Sequence, residues 1–286
     1  MSRIVVAGDV MRDVVATLAA PIARGSDAPA AIAERGGGAG ANVAAWLARA
    51  GAAVTLIGRI GDDPAGRAAA DALRAEGVDL RLSVDPERPT GTCLVLVEPG
   101  GERTMLPDPG ANAALVAEPL PPDATHLHVA GYALLRPGSR AAAQALIAAA
   151  RDAGATVSVD PSSAAPLAAA PRFLDWVAGV DLLLPNRDEA AVLTGIAEPD
   201  GAARALCAEV GEVVVTLGAD GALWTDGDAL LHGPAFPVPG ADSTGAGDAF
   251  AAGLLGARAA GAGPADALRA GCALASRAVA RVGARG

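Results

Sequence analysis

The chain has 286 residues, 52% of them hydrophobic, and a net charge of −10, enough to bury a large core as one domain or one domain with an appendage. No basic block could track a phosphate backbone, so no nucleic-acid partner is expected, and all 22 basic residues are arginine, which excludes a Schiff-base lysine, a Walker A lysine and a protein-kinase strand lysine. No stretch of about 20 apolar residues is free of Arg, Asp or Pro, so no membrane span is expected.

In chain order, RIVVAGD (3–9) reads as a first strand, and MSRIVVAGDV has neither the apolar region nor the cleavage site of a signal peptide. Residues 14–35 read as irregular and run into Gly36-Gly37-Gly38. NVAAWLARAG (42–51) reads as a helix, AVTLIGRIG (53–61) as a strand, and DPAGRAAADALRAEG (63–77) as a helix. That second helix has Asp63 at its N-cap and Pro64 at its first position. TGTCLVLVEPGGERTMLP (90–107) reads as a hairpin with Pro99-Gly100-Gly101 at its tip. THLHVAG (125–131), ATVSVD (155–160), VDLLLPN (180–186) and EVVVTLG (212–218) read as strands, with a helix over SRAAAQALIAAARDAG (139–154). Each of these three helices stops at a glycine. Apolar runs without polar alternation suit parallel strands covered on both faces. The alternation predicts an α/β fold with a central, mostly parallel sheet flanked by helices on both faces. Residues 14–35 and 90–107 interrupt the pattern and together predict a small β appendage. Cys93, Cys207 and Cys272 are too few and scattered for a disulfide framework or zinc cluster, and read as buried residues of a cytoplasmic protein.

Four short stretches could carry chemistry. In GADSTGAGDAFAAGLL (240–255), glycines sit where the first turn of an apolar helix should be, each costing about 1 kcal/mol against alanine in a helix interior. A helix N-terminus presents unpaired N–H groups and a partial positive charge. Gly245 and Gly247 would keep Cβ atoms away from a phosphate there, and Asp248 beside it could take a proton from an attacking hydroxyl. Taken alone, the stretch equally reads as a glycine loop followed by a dipole-stabilised acid.

In GGGAGANVAAW (36–46), Asn42 reads as a helix cap, or meets a polyhydroxylated ligand together with glycine N–H groups and Asp13. Gly36-x-Gly38-x-x-Ala41 also satisfies a loose dinucleotide fingerprint, which should follow the first strand directly; the preceding AIAER reads as a poor strand. In PNRDEAAVLTG (185–195), Asn186 and Glu189 have capping-box spacing, and the same spacing suits water-mediated contact with Mg²⁺. TLGADG (216–221) ends a strand in a glycine turn that would admit a flat nucleotide.

In order and together, these stretches resemble the ribokinase (PfkB-type) family of small-molecule kinases. The resemblance runs over nearly the whole chain, through GGAGAN, VTLIGRIGDDPAGR (54–67), GERTMLPDPGANAAL (101–115), PNRDEA, TLGADG and DSTGAGDAFAAGLL (242–255). It implies an ATP- and Mg²⁺-dependent kinase acting on a hydroxyl of a sugar or related polyol, with a nucleoside as the alternative acceptor. Asp248 is then the catalytic base, and Gly245, Ala246 and Gly247 form the anion hole. Asp13, Gly37, Gly38 and Asn42 hold the acceptor, with Tyr132 nearby. Asn186 and Glu189 organise Mg²⁺ and phosphate, while Thr216, Gly218, Gly221 and Gly247 line the nucleotide site. Asp242 and Thr244, with the stretch RVGARG (281–286), correspond to a loop that binds a monovalent cation such as K⁺ in many members.

The implied division is a main domain of residues 1–12, 36–86 and 108–286 and a β lid of 13–35 and 87–107, through which a homodimer would form. Ala39 stands where ribokinase has a lysine, and HVAGYALL (128–135) lacks ribokinase's sugar-contacting glutamate. Only 2% of residues are aromatic, which favours a sugar over a stacked base. Two readings from other classes are a non-catalytic sugar or nucleotide sensor and an NAD(P)-dependent oxidoreductase.

Overall fold

The strand Arg3–Ala7 (β1) buries consecutive side chains on opposite sides: Val5 and Ala7 join one apolar cluster, Ile4 and Val6 another. A strand with both faces covered has no polar alternation, which is why RIVVA reads as a continuous apolar run. The computed structural model describes residues 2–238, 243–280 and 283–285. After β1 come Met11–Leu18 (β2), Ala30–Gly37 (β3), Ala39–Arg49 (α1), Ala53–Gly61 (β4), Pro64–Ala75 (α2) and Asp79–Asp85 (β5). Gly91–Val97 (β6) and Arg103–Asp108 (β7) form a hairpin. Ala124–Ala130 (β8), Tyr132–Leu135 (α3), Pro137–Asp152 (α4), Thr156–Asp160 (β9), Ala164–Ala168 (α5), Phe173–Val177 (α6) and Leu182–Leu183 (β10) follow. The chain continues through Arg187–Thr194 (α7), Pro199–Leu206 (α8), Glu212–Thr216 (β11), Ala222–Thr225 (β12), Leu230–Gly233 (β13), Ala246–Ala259 (α9) and Pro264–Val279 (α10).

Among the described residues, nine strands form one sheet in the order β13-β12-β11-β10-β9-β8-β1-β4-β5. All neighbours pair in parallel except at one edge, where β12 runs antiparallel to both β11 and β13. Helices α1, α9 and α10 bury residues against one face, and α4, α6 and α8 against the other. The strand order reverses at β1: the chain goes to β4 and β5 on one side, then crosses to β8 and beyond. Open α/β sheets bind ligands outside the carboxyl ends of the strands at such a reversal. No helix among the described residues is long and apolar enough to cross a membrane.

The second sheet, β3-β2-β6-β7, stands apart from the first. Residues 14–35, read from sequence as irregular, contribute β2 and β3, and AIAER lies within β3. Seven of the eight β3 residues are exposed, so nothing selects apolar residues there, and the strand is held by its backbone pairing to β2. Three further strands escaped sequence reading: β5, β12 and β13. The expected strand over 180–186 shrinks to the two residues of β10, though an isolated bridge joins Asn186 to Thr216 farther on. Helix α1 starts at Ala39, three residues before its expected start, because Gly38 at φ 92° turns the chain directly into it. Asp63 caps α2 through the Gly66 N–H at 2.8 Å, and also accepts from the N–H and hydroxyl of Thr90. One carboxylate thus fastens a main-sheet helix to the start of the second sheet.

Candidate active site

At the carboxyl edge of the large sheet lies a cavity of about 250 Å³. Asp160 and Ser162 come to it from the end of β9, Asn186 and Glu189 from the start of α7, and Thr216 from the end of β11. Gly245, Gly247 and Asp248 come from the start of α9, and Ala39 opens α1 at its rim. Residues spread over more than 200 positions of sequence meet because parallel strands bring all their carboxyl ends to one side.

The two glycines of the α9 turn do different jobs. Gly245 is the N-cap, left-handed at φ 74°. A Cβ there would sit 2.7 Å from the Cα of Ala284, so conformation and close approach require this glycine, rather than room for a ligand. At Gly247 a Cβ would meet nothing within 4 Å, and the open space is the cavity itself. The Ala246 N–H is already bonded to the Ser243 carbonyl at 3.2 Å. Of the three residues expected to form an anion hole, Gly247 keeps an N–H with no intrahelical acceptor, as does Asp248 next to it.

Asp248 accepts a hydrogen bond from Asn42 Nδ2 at 2.8 Å. It keeps partial solvent access, yet protein encloses it. Burial raises its pKa to about 7; the Asn42 bond works against the rise, Asp160 adds to it, Arg285 opposes it and Asp13 adds a little. Asn42 does not cap α1, as its spacing also allowed: the cap is Gly38, and Asn42 lies inside the helix with its amide free to reach Asp248. A Cβ at Gly38 would collide with the Asp9 carbonyl, and one at Gly37 with the Asp13 carboxylate. Asp13, in β2, is almost buried; burial raises its pKa to about 6 against the pull of Arg285. Asn42 joins Asp248 directly and Gly37 lies against Asp13, but none of Asp13, Gly37, Gly38 and Asn42 lines the cavity.

Asn186 and Glu189 form a complete capping box, with Asn186 Oδ1 accepting from the Glu189 N–H at 2.9 Å and Glu189 Oε2 from the Asn186 N–H at 2.8 Å. Both also line the cavity, so a capping role leaves them in reach of a ligand there. Burial pushes the Glu189 carboxyl well up, and the neighbouring Asp160 adds to it; burial likewise pushes Asp160 up. Three carboxyl groups facing one cavity leave it short of positive charge. Among the described residues no three His, Cys, Asp or Glu side chains come close enough to ligate a metal directly. Mg²⁺, which sheds its waters reluctantly, fits such a place through bound water.

Thr216 lines the cavity, but Gly218 and Gly221 lie beyond it on the turn after β11. Gly221, at φ 95°, is a fold requirement, since a Cβ there would strike the end of β13 at Gly233 and come within 2.7 Å of the Ala235 nitrogen. Gly218 opens onto free space. Tyr132 is outside the cavity lining too; its N–H donates to Ser162 Oγ at 3.3 Å, and Arg136 stacks 5.1 Å above its ring. Asp242 lies outside the described residues, and Thr244 sits in the turn before α9.

Sequence reading missed four participants. Asp160 carried a usable signal, an acid ending a strand as Asn186 and Thr216 do. Ser162, at φ 76°, is the one non-glycine with positive φ among the described residues, a strain that collects at functional sites. Arg136 grips the buried Asp9 in a bidentate pair at 2.7 Å and had no local signature; Arg285 lies in RVGARG, which the resemblance tied to a cation loop and not to Asn42, its partner here.

A doubly covered parallel sheet with an acid and a glycine turn at one helix N-terminus is an arrangement that could receive a phosphate group. The sequence pattern of the pfkB family carbohydrate kinases matches residues 1–286, and the chain belongs to that family. It is 37% identical over 231 residues to a fructokinase of Klebsiella pneumoniae, covering 77% of this chain and 75% of that one. It is 32% identical over 231 residues to an aminoimidazole riboside kinase of Salmonella typhimurium, covering 77% and 72%. An Escherichia coli structure provisionally called ribokinase II, in complex with ATP and Mg²⁺, superposes with a TM-score of 0.88 at 25% identity, covering 100% of this chain and 95% of that one. The fold is ribokinase-like, as the sequence resemblance implied.

The contrast between the two glycines is testable. Gly247→Ala should fold with stability within about 0.5 kcal/mol of the parent while phosphoryl transfer falls, because the methyl enters the cavity. Gly245→Ala should lose at least about 1 kcal/mol, the cost of forcing a side chain into the left-handed region. Urea unfolding beside an activity assay separates them; equal stability losses would contradict the assignment.

Proposed function

We propose that Asp248 is the general base of an ATP-dependent sugar kinase and that the cavity before α9 is where the phosphoryl group is transferred. The reaction class comes with membership of the family; the residue roles are our reading. The observation that carries it is the position of Asp248: an acid with its pKa raised to about 7, bonded to Asn42 and set beside the open N-terminal turn of α9. A base poised near neutral pH accepts a proton and releases it with little penalty.

The acceptor lies against Asp13, Gly37, Gly38 and Asn42, with Tyr132 at the edge, and turns one hydroxyl toward Asp248. Asp248 removes that proton as the oxygen attacks the γ-phosphorus, and the bond from that phosphorus to the bridging oxygen of the β-phosphate breaks, so that ADP leaves. First-turn N–H groups of α9, chiefly at Gly247, hold the transferring group, where fixed dipoles act without reorganisation. The nucleotide extends from Gly247 past Thr216 toward Gly218 and Gly221. Asn186 and Glu189 would hold Mg²⁺, which would supply neutralisation of phosphate charge. Holding both reactants in line does the rest, a contribution worth roughly 7–11 kcal/mol in well-oriented systems. No step calls for a lysine. Closure of the second sheet over the acceptor would exclude water and limit hydrolysis of ATP.

A ketohexose such as fructose is the acceptor favoured by the fructokinase relative; a nucleoside is the second reading, favoured by the aminoimidazole riboside kinase relative. We also propose a homodimer through the second sheet, whose outer face exposes Ile32, Leu94 and Leu106 together. Light scattering should give twice the chain mass for the parent and the single mass for Leu94→Arg; a monomeric parent would contradict it.

Coupled ADP release with Mg-ATP over fructose, ribose and a nucleoside panel tests the base. Asp248→Asn should lower kcat on the best acceptor by about 10²–10⁴-fold, with the fold intact. Full turnover by that variant would remove Asp248 from the role.

A further inference from the structure

Arg285 is bound more tightly into the site than any sequence signal suggests. Its side chain is almost wholly buried. Its Nε donates to Asn42 Oδ1 at 2.9 Å and its Nη2 to the Gly37 carbonyl at 2.8 Å. The segment carrying it is fastened separately: Trp46 Nε1 donates to the Ala284 carbonyl at 3.0 Å, and Arg49 to the carbonyl of Arg285. Ala284 packs on Gly245, the cap of α9. One short segment therefore touches both helix N-termini that flank the reacting groups.

An asparagine amide has a donor end and an acceptor end of nearly equal shape, and the neighbours decide which way it points. A guanidinium can only donate. With Arg285 on one side, Asn42 must turn Oδ1 toward it and Nδ2 toward Asp248, which is the arrangement seen. Reversed, the amide would set its oxygen against an ionised carboxylate and its N–H₂ against a buried cation, two unfavourable contacts at once. The second arm of the same guanidinium holds the Gly37 carbonyl, fixing the turn through Gly38 that starts α1.

We propose that Arg285 is a positioning residue for phosphoryl transfer: it orients the Asn42 amide so that Nδ2 donates to Asp248 and fixes the glycine turn on which the acceptor rests. This rests on the reading of Asp248 as the base and adds a residue to it. The planar fork does the work, because a lysine ammonium is a point donor and cannot bridge both acceptors in one plane.

The test is a double-mutant cycle on Arg285 and Asn42, run with whichever of fructose, ribose or adenosine the parent turns over fastest. Arg285→Gln should lower kcat by about ten- to a hundredfold, the range typical of small misplacements near a reacting group, with KM for ATP unchanged. Arg285→Lys, which keeps the charge and so guards against loss of folding, should recover only part of kcat. The double variant Arg285→Gln/Asn42→Ala should be no slower than Asn42→Ala alone, since groups acting as one unit are not additive. Parental kcat in Arg285→Gln, or losses that multiply in the double variant, would overturn the proposal. Asp248→Asn reports on the base independently: if it abolishes turnover while Arg285→Gln keeps the parental kcat, the base stands and the positioning role falls.

Discussion

The arrangement depends on keeping one carboxyl group, Asp248, enclosed by protein at the front of a helix. Two effects pull on it. The helix N-terminus and the Asn42 amide favour the charge, whereas enclosure and the nearby Asp160 and Asp13 disfavour it. Enclosure wins, and the rise from 3.8 to about 7 corresponds to several kcal/mol at 1.36 kcal/mol per unit. A fold that only had to be stable would not put an acid there. The surrounding sheet, with both faces covered and its carboxyl ends aligned, supplies the rigidity that keeps the acid in place.

Several residues serve fold and site together. The Asn186–Glu189 pair satisfies the first turn of α7 and also bounds the cavity. Gly245 lets the chain turn left-handed against Ala284, and that turn aims α9 at the cavity. Asp160 ends a strand and presses on Glu189. Because such residues do double duty, changes at them alter stability and chemistry at once; Gly247, where a side chain meets only open space, is the cleaner probe.

The parts legible in sequence were those with a local physical signature. β1, β4 and β11 are apolar runs because both faces are covered, and α2 declared itself through Asp63 and Pro64. DSTGAGD, GGAGAN and PNRDE were legible because glycine and acid at fixed spacing have few other uses in company. β3 was illegible because an exposed strand held by backbone bonds selects no pattern. β12 and β13 are four residues each, shorter than any periodicity can register. Arg285 was illegible for another reason: it contacts Asn42 across 243 positions, and nothing local marks an arginine for such a task. Gly221 was legible as a turn glycine, but its neighbour Gly233 shows that the fold alone requires it.

The most direct test of the central claim is the titration of the Asp248 carboxyl itself, followed by carbon NMR on aspartate-labelled protein with Asp248→Asn for assignment. A carboxyl whose charged form is penalised by enclosure should stay protonated well above the ordinary range and lose its proton near pH 7. Below that midpoint the base would be occupied, and above it free to act. A midpoint near 4, the ordinary value for an aspartate, would contradict the account, since Asp248 would then be a solvated acid at a helix N-terminus and nothing more.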